Sequence, residues 1–189
     1  MELSDFLITD ELAVRPRSAR RAENLALTVP VQLMGANAAI EAALAGRCRQ
    51  AIELCGAHSA GISMFSPSGF DTLTWLGVSG ELAPFDQHVF PRDHSPCGIC
   101  FTYRSAQLFR HAHVYFPWLA KIGIFIEELL VVPIQGPFGA FFGTMWVVTH
   151  HSAGPRFTQD DVLALDKLGG PLWSRLHDLG KAQSGGTQG

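Results

Sequence analysis

From Asn37 to Cys55, Ile40, Leu44, Ala51, Ile52 and Cys55 recur at helical spacing and Leu54 widens the stripe, so this stretch reads as a helix with Gly56 as its stop. The period then changes. Ser59–Phe65 and Thr72–Val78 read as strands joined through Ser66-Pro67-Ser68-Gly69, a turn by composition, and together predict a hairpin. Short helical pieces are expected over Glu81–Gln87, Pro96–Arg104 and His113–Ile122, with an edge strand at Gln107–Phe109. The clearest β signal is Glu128–Ile134 followed by Ala140–Thr149 across Gln135–Gly139, a connection of hairpin length. The second of these strands is nearly all apolar, the pattern of a strand buried on both faces or central in a sheet. Thr158, three residues before Asp161, opens a closing helix whose apolar positions are Val162, Leu165, Leu168, Leu172, Trp173, Leu176 and Leu179. Gly169-Gly170-Pro171 predicts a kink or break midway along it.

This order of elements suits an α+β domain with an antiparallel sheet covered by helices. Residues 1–30 lack sustained periodicity, carry Pro16 and Pro30, and read as an N-terminal arm or linker. Residues 31–179 hold the domain, and 180–189 read as a disordered tail. There is no internal repeat. The 189 residues suffice for one domain with a real core.

Composition narrows the function. Hydrophobic residues make up 47% and charged residues 16%, with 13 Phe and 4 Trp, which points to surface covered by a partner or to an aromatic-lined pocket. A net charge of −3 argues against a nucleic-acid partner. The one basic run, Arg15, Arg17, Arg20 and Arg21, reads as a solvated linker. No apolar run reaches the ~18 residues of a membrane span. The start, MELSDFLITDEL, is acidic where a signal peptide would be basic, so a cytoplasmic protein with no membrane partner is expected. Its four cysteines then read as free thiols.

Candidate chemistry concentrates in Phe90–Tyr103, FPRDHSPCGICFTY. Ser95 suits an N-cap and Pro96 the first helical position, which puts Cys97 in the first turn, where the helix dipole favours a thiolate. Cys100 follows one turn later, with Arg92 and His94 just upstream. The two thiols suit redox sensing, metal ligation or thiol catalysis, and equally the packing of a helix under a pocket. A zinc site from Cys97, Cys100 and two of His94, His111 and His113 has the ligand types without the usual spacing, so no metal is expected. Trp75, Phe90, Phe116, Trp118 and Trp146 are the aromatic candidates for a pocket wall. Arg92 is the natural anchor for an anion and His94 a titratable contact. Glu127 and Glu128 open a strand and point to opposite faces, so at most one faces a pocket. No Ser-His-Asp set, phosphate-binding loop or pair of catalytic carboxylates is present.

Three segments resemble the GAF domain, a ligand-binding module common in bacterial sensor proteins: IELCGAHSAGISMF, LLVVPIQGPFGAFFGTMWVVTHH and RFTQDDVLALDKLGGPL. PRDHSPCG, YFPWL and LSDFLITDEL are similar to a bacterial GAF subgroup found beside histidine-kinase modules. The resemblance implies a central antiparallel sheet of five to six strands with helices on both faces. Helices on one face would pair between subunits, and a pocket would lie on the other. It implies a non-catalytic domain that senses an unidentified small molecule and relays its occupancy through the terminal helices. The implied partners are a second copy and a signalling protein such as a histidine kinase; no cofactor is specified. The implied ligand contacts are Trp75, Phe90, Arg92, His94, Ser95, Cys97, Cys100, Phe116, Trp118 and Trp146. The helix break at Gly169-Gly170-Pro171 argues against relay through a continuous coiled coil.

Two alternatives stand beside this reading: an interaction module with a vestigial pocket, and a thiol enzyme. The family includes a reductase of free methionine sulfoxide, and Cys97-Gly98 resembles its Val-Cys-Gly segment. The second upstream thiol of that enzyme is missing here, because residues 85–96 contain no Cys. Cys100 would have to resolve from the same helix. Bilin attachment is not expected, since neither Cys97 nor Cys100 is followed by His.

Overall fold

The computed structural model describes residues 2–17, 36–65, 71–152 and 156–184, without the side chains of 36–39, 137 and 173–184. The expected turn at Ser66–Gly69, the arginines at 20 and 21, Pro30 and residues 185–189 lie outside the described residues. So do the side chains of Trp173, Leu176 and Leu179.

Six antiparallel strands form one sheet in the order β3-β2-β1-β6-β5-β4. They are β1 (Ser59–Phe65), β2 (Thr72–Gly80), β3 (Val89–Pro91), β4 (Gln107–Arg110), β5 (Glu128–Gln135) and β6 (Phe141–Thr149). The apolar β6 lies between β1 and β5, as its composition implies. β3 is an additional edge strand, pairing Phe90 with Leu73, and its Pro91 sits where an edge tolerates a missing donor.

Alternation along the strands separates two cores. On one face, Ile62, Leu130, Val132, Met145 and Val147 pack with Leu44, Cys48 and Ala51 of α2 (Ala36–Cys55) and with Leu165, Leu168 and Leu172 of α6 (Gln159–Ser184). On the other, Leu73, Trp75, Val131, Trp146 and Val148 meet three short helices. These are α3 (Pro96–Tyr103), α4 (Ala112–Tyr115) and α5 (Pro117–Lys121). We call these the helix face and the cavity face. Gly77, at φ +64°, has no room for a Cβ against the Leu44 backbone, which lets α2 lie close on the hairpin.

Several expectations are corrected. The piece over His113–Ile122 is two helices, because Phe116 precedes Pro117 and leaves the helical region (φ −109°, ψ 80°). The piece at Glu81–Gln87 is only a 3-10 turn over Ala83–Phe85. There the Asp86 carboxylate accepts the Val78 N–H at 3.0 Å, and Gln87 takes φ 67°. Helix α6 is not broken at its Gly-Gly-Pro: it runs through Pro171, with Leu168 and Leu172 both buried in the core. Proline removes a single backbone donor there, while burial on either side holds both turns. Thr158 and Asp161 close its start, the Thr158 N–H donating to the carboxylate at 2.8 Å.

The arm is docked. Leu7 bridges Phe109, the Ile8 N–H donates to the Leu108 carbonyl and the Arg110 N–H to the Phe6 carbonyl, so the segment runs along the β4 edge. Helix α1 (Glu11–Val14) then places Leu12 in the helix-face core. Arg15 is not solvated, as its basic run suggests. Its guanidinium is 8% exposed and donates to both oxygens of Glu128, at 2.7 and 3.0 Å, and to the Phe157 carbonyl. Burial opposes its charge, and the two carboxylates Glu128 and Glu11 restore it.

Candidate functional site

The site is built on β1, β2, β3 and β6. Gly61 of β1 is the register partner of Trp146 on β6, and the absence of a Cβ lets the indole lie across it. The Trp146 Nε1–H donates to the Ser63 hydroxyl at 3.1 Å, and that hydroxyl lies 3.2 Å from the Cys97 sulfur. Trp75 of β2 completes the floor, its ring centroid 5.3 Å from both Trp146 and Phe90.

Helix α3 closes one side. The Ser95 hydroxyl accepts the Gly98 N–H at 3.0 Å and donates to the Arg92 carbonyl at 2.8 Å, an N-cap that also folds the preceding loop. Gly98 has no room for a Cβ against that carbonyl. Helix α5 closes the other side. Trp118 stacks on Phe90 with an interplanar angle of 15°, and its Nε1–H donates to the His94 carbonyl at 2.7 Å.

Between them lies a cavity of about 20 Å³, walled by Trp75, Phe90, Trp118 and Trp146 with Leu82, Pro96, Leu119, Ile124, Ile126, Leu129 and Val148. Cys97 brings the only side-chain heteroatom among these walls besides the indole nitrogens. One water fills such a volume, and apolar walls give it few partners.

Five of the ten expected contacts therefore meet at the cavity: Trp75, Phe90, Cys97, Trp118 and Trp146. Ser95 is buried beside it as a cap. Arg92 turns outward to Asp93 at 2.7 Å and over the Phe101 ring at 5.4 Å. His94 is exposed and contributes its carbonyl. Cys100 is buried with its sulfur 3.4 Å from the Ser105 carbonyl, and Phe116 packs against Phe109. Leu82, Ile124, Ile126 and Leu129 escaped the sequence reading. The signal for Ile124 and Ile126 was their alternation ahead of β5, and for Leu129 its place two residues from Val131 on the same face of β5.

Burial raises the Cys97 thiol above its ordinary value, and the Ser63 hydroxyl only partly opposes it. The helix dipole favours a thiolate at Cys97 only where the loop is open to solvent, and with the residue 5% exposed, desolvation outweighs the first helical turn. Burial pushes Cys100 well up too. Neither Glu127 nor Glu128 enters the cavity. Glu127 faces His111 at 3.6 Å, and Glu128 holds Arg15.

Among the described residues, the metal-capable group is His58, Glu81 and His151, with ligand atoms within 4.8 Å of one another. The cysteines and His94, His111 and His113 are not gathered. The His58 Nδ1 accepts the His150 N–H at 2.9 Å, so the neutral ring carries its proton on Nε2 and offers a donor there rather than a metal ligand.

No family model matches the sequence, and no curated protein matches it. Solved structures do. The GAF-B domain of DevS from Mycobacterium smegmatis aligns at 17% identity over 77% of this chain and 97% of its own, with a TM-score of 0.58. The GAF domain of a phosphoenolpyruvate-protein phosphotransferase from Coxiella burnetii aligns at 13% identity over 77% and 86%, with a TM-score of 0.65. The chain has the GAF fold. A free methionine-R-sulfoxide reductase from Neisseria meningitidis, solved with its substrate, shares that fold at 20% identity over 76% of this chain and 81% of its own (TM-score 0.57). In this GAF fold the cavity lies opposite α2 and α6, and no helix among the described residues is long and apolar enough to cross a membrane.

Proposed function

We propose that this GAF-fold chain is a non-catalytic sensory module. A small molecule binds on the cavity face, and its occupancy is relayed through α2 and α6 to a signalling partner such as a histidine kinase. The working unit is a cytoplasmic homodimer, and the GAF-like domain spans 31–179 with the arm packed on it. The observation that carries this reading is the shared sheet: Trp146 floors the cavity from the strand whose neighbours Met145 and Val147 pack on the helix face. A ligand that shifts Trp146 shifts β6, and with β6 the seat of α2 and α6. Such a shift is only as large as the ligand's preference for one state.

Likeness to DevS GAF-B and other GAF domains supports a sensory role. Likeness to the sulfoxide reductase brings a thiol mechanism into view, but a buried, protonated Cys97 with no second reactive thiol speaks against it. Native mass spectrometry of the full chain, purified without denaturation, tests the reading. A small molecule retained by wild type and lost from Trp75→Ala is the expected result. Thiol-dependent turnover of free methionine sulfoxide, with no bound molecule, contradicts it.

A further inference from the structure

A cavity of about 20 Å³ is more than tenfold smaller than an ordinary ligand pocket, so a ligand enters this site only by taking the place of a side chain. One side chain is set apart from the other walls. Trp75, Phe90 and Trp146 are 6%, 2% and 2% exposed, whereas Trp118 is half-buried and stands at the opening. Its indole lies nearly parallel to Phe90 (15°, centroids 5.3 Å) and to His88 (16°, 6.1 Å), and 6.0 Å from Trp75. Flat stacking on two rings is how a planar guest would sit. Its single polar contact is the Nε1–H bond to the His94 carbonyl. The helix that carries it is five residues long, entered through the break at Phe116 and left at Gly123, which takes φ +83°.

From this geometry we propose that Trp118 occupies the ligand's place. The ligand is an uncharged, planar, bicyclic heteroaromatic with an N–H or O–H on its edge, and it binds by displacing the Trp118 indole. The proposal rests on the cavity-face reading above and names its ligand class. The flat shape follows from the Phe90, His88 and Trp75 rings. The edge donor follows from the His94 carbonyl, which loses its partner when Trp118 leaves and which an N–H or O–H on the ligand's edge pairs again. The neutrality follows from the walls, which hold no charged side chain, while Arg92 is committed outward to Asp93. An ion desolvated against such walls finds no counter-charge. Displacement also explains a response: breaking the Trp118–His94 bond releases the Arg92–Ser95 loop from α5, a change that a ligand touching only the outer surface would not make.

Indole is the probe. The full wild-type chain, labelled with 5-fluorotryptophan at Trp75, Trp118, Trp146 and Trp173, is titrated and followed by fluorine NMR. At saturation the Trp118 resonance moves to the solvent-exposed position and Trp173 stays. 1-Methylindole, which has no donor, binds about tenfold more weakly. Indole-3-carboxylate binds about a hundredfold more weakly. Trp118→Leu, which removes the resident competitor, binds indole about tenfold more tightly; if that variant does not fold, the wild-type fluorine spectra decide alone. Indole binding with Trp118 unmoved overturns the displacement. Carboxylate binding as tight as indole overturns the ligand class and leaves the cavity-face site standing. If no probe binds, the proposal fails. A natural ligand retained in native mass spectrometry and lost with Trp75→Ala would then still uphold the site.

Discussion

Gly61 and Trp146 face each other across β1 and β6, and the indole occupies the space a side chain at 61 would need. The floor of the cavity thus depends on one missing methyl group. Gly61→Ala is expected to push the ring off its seat and to strain the Trp146–Ser63 hydrogen bond. The cost is about 1–3 kcal/mol by urea denaturation, with a changed near-ultraviolet circular dichroism spectrum. An unchanged spectrum at full stability would mean that the ring does not lie there.

Arg15 and Glu128 make the second test. Arg15→Ala leaves a 4% exposed carboxylate without its bidentate partner, for an expected loss of about 3–5 kcal/mol. The double variant Arg15→Met/Glu128→Gln should recover part of that loss, since it no longer buries a carboxylate whose remaining cation, Arg110, stands 3.9 Å away. A change under about 1 kcal/mol for Arg15→Ala would show that the arm is not held as described.

Alkaline stability follows from the thiols. Burial pushes Cys48 up to about 12 and raises Cys97 and Cys100 as well. An unfolded thiol ionises near ~8.5, so it releases its proton at a pH where the native one does not. The contribution is fully present below pH ~8.5 and is lost as pH rises through the folded values. Stability should fall by up to about 1.4 kcal/mol per pH unit per thiol above that point. Cys48→Ala, less stable at neutral pH, should show the shallower decline in urea midpoints. Equal slopes for the two proteins would contradict the assignment.

The same burial bears on catalysis. Alkylation of Cys97 at neutral pH is expected to be no faster than that of Cys48, and free methionine sulfoxide should not turn over with dithiothreitol. Selective, rapid labelling of Cys97 together with turnover would restore the thiol enzyme.

What was legible in the sequence follows from periodicity. The α2 stripe, the two long hairpins and the Thr158 start each rest on local pattern, and each has a partner surface that rewards the pattern. The apolar run of β6 announced its central place. Elements decided by tertiary contact were not legible. β3 is too short to alternate, and exists because Phe90 pairs with Leu73. Arg15 sits in a basic run and is buried only because Glu128 and Phe157 lie 113 and 142 residues away in sequence. Pro171 reads as a kink or break, and core leucines on both sides keep the helix from breaking. At the site, residue type identified the aromatic walls, while the outward turn of Arg92 was set by its neighbour Asp93 and by Phe101. Which of dipole and burial prevails at Cys97 was open for a similar reason: sequence shows the helix start but not the depth at which it lies.

Leu172 lies in the core on α6, and exposed Leu163 is where the proposed homodimer would meet on that helix. Leu172 is 4% exposed within the helix-face core, so Leu172→Glu should abolish cooperative folding rather than release monomers. Leu163 is 51% exposed on the same helix, and Leu163→Glu should give a folded monomer by size-exclusion chromatography with light scattering. A folded Leu172→Glu protein would contradict the packing of α6, and a dimeric Leu163→Glu protein would move the interface elsewhere.

The central claim is that a ligand on the cavity face changes the helix face. The direct measurement is a nitrogen–proton NMR screen of the uniformly labelled chain against a library of small neutral and charged fragments. Hits should perturb the indole N–H signals of Trp118 and Trp146 together with backbone amides of α2 and α6. Hits that bind only the helix face, or that fill the cavity while leaving every α2 and α6 amide in place, would contradict the account.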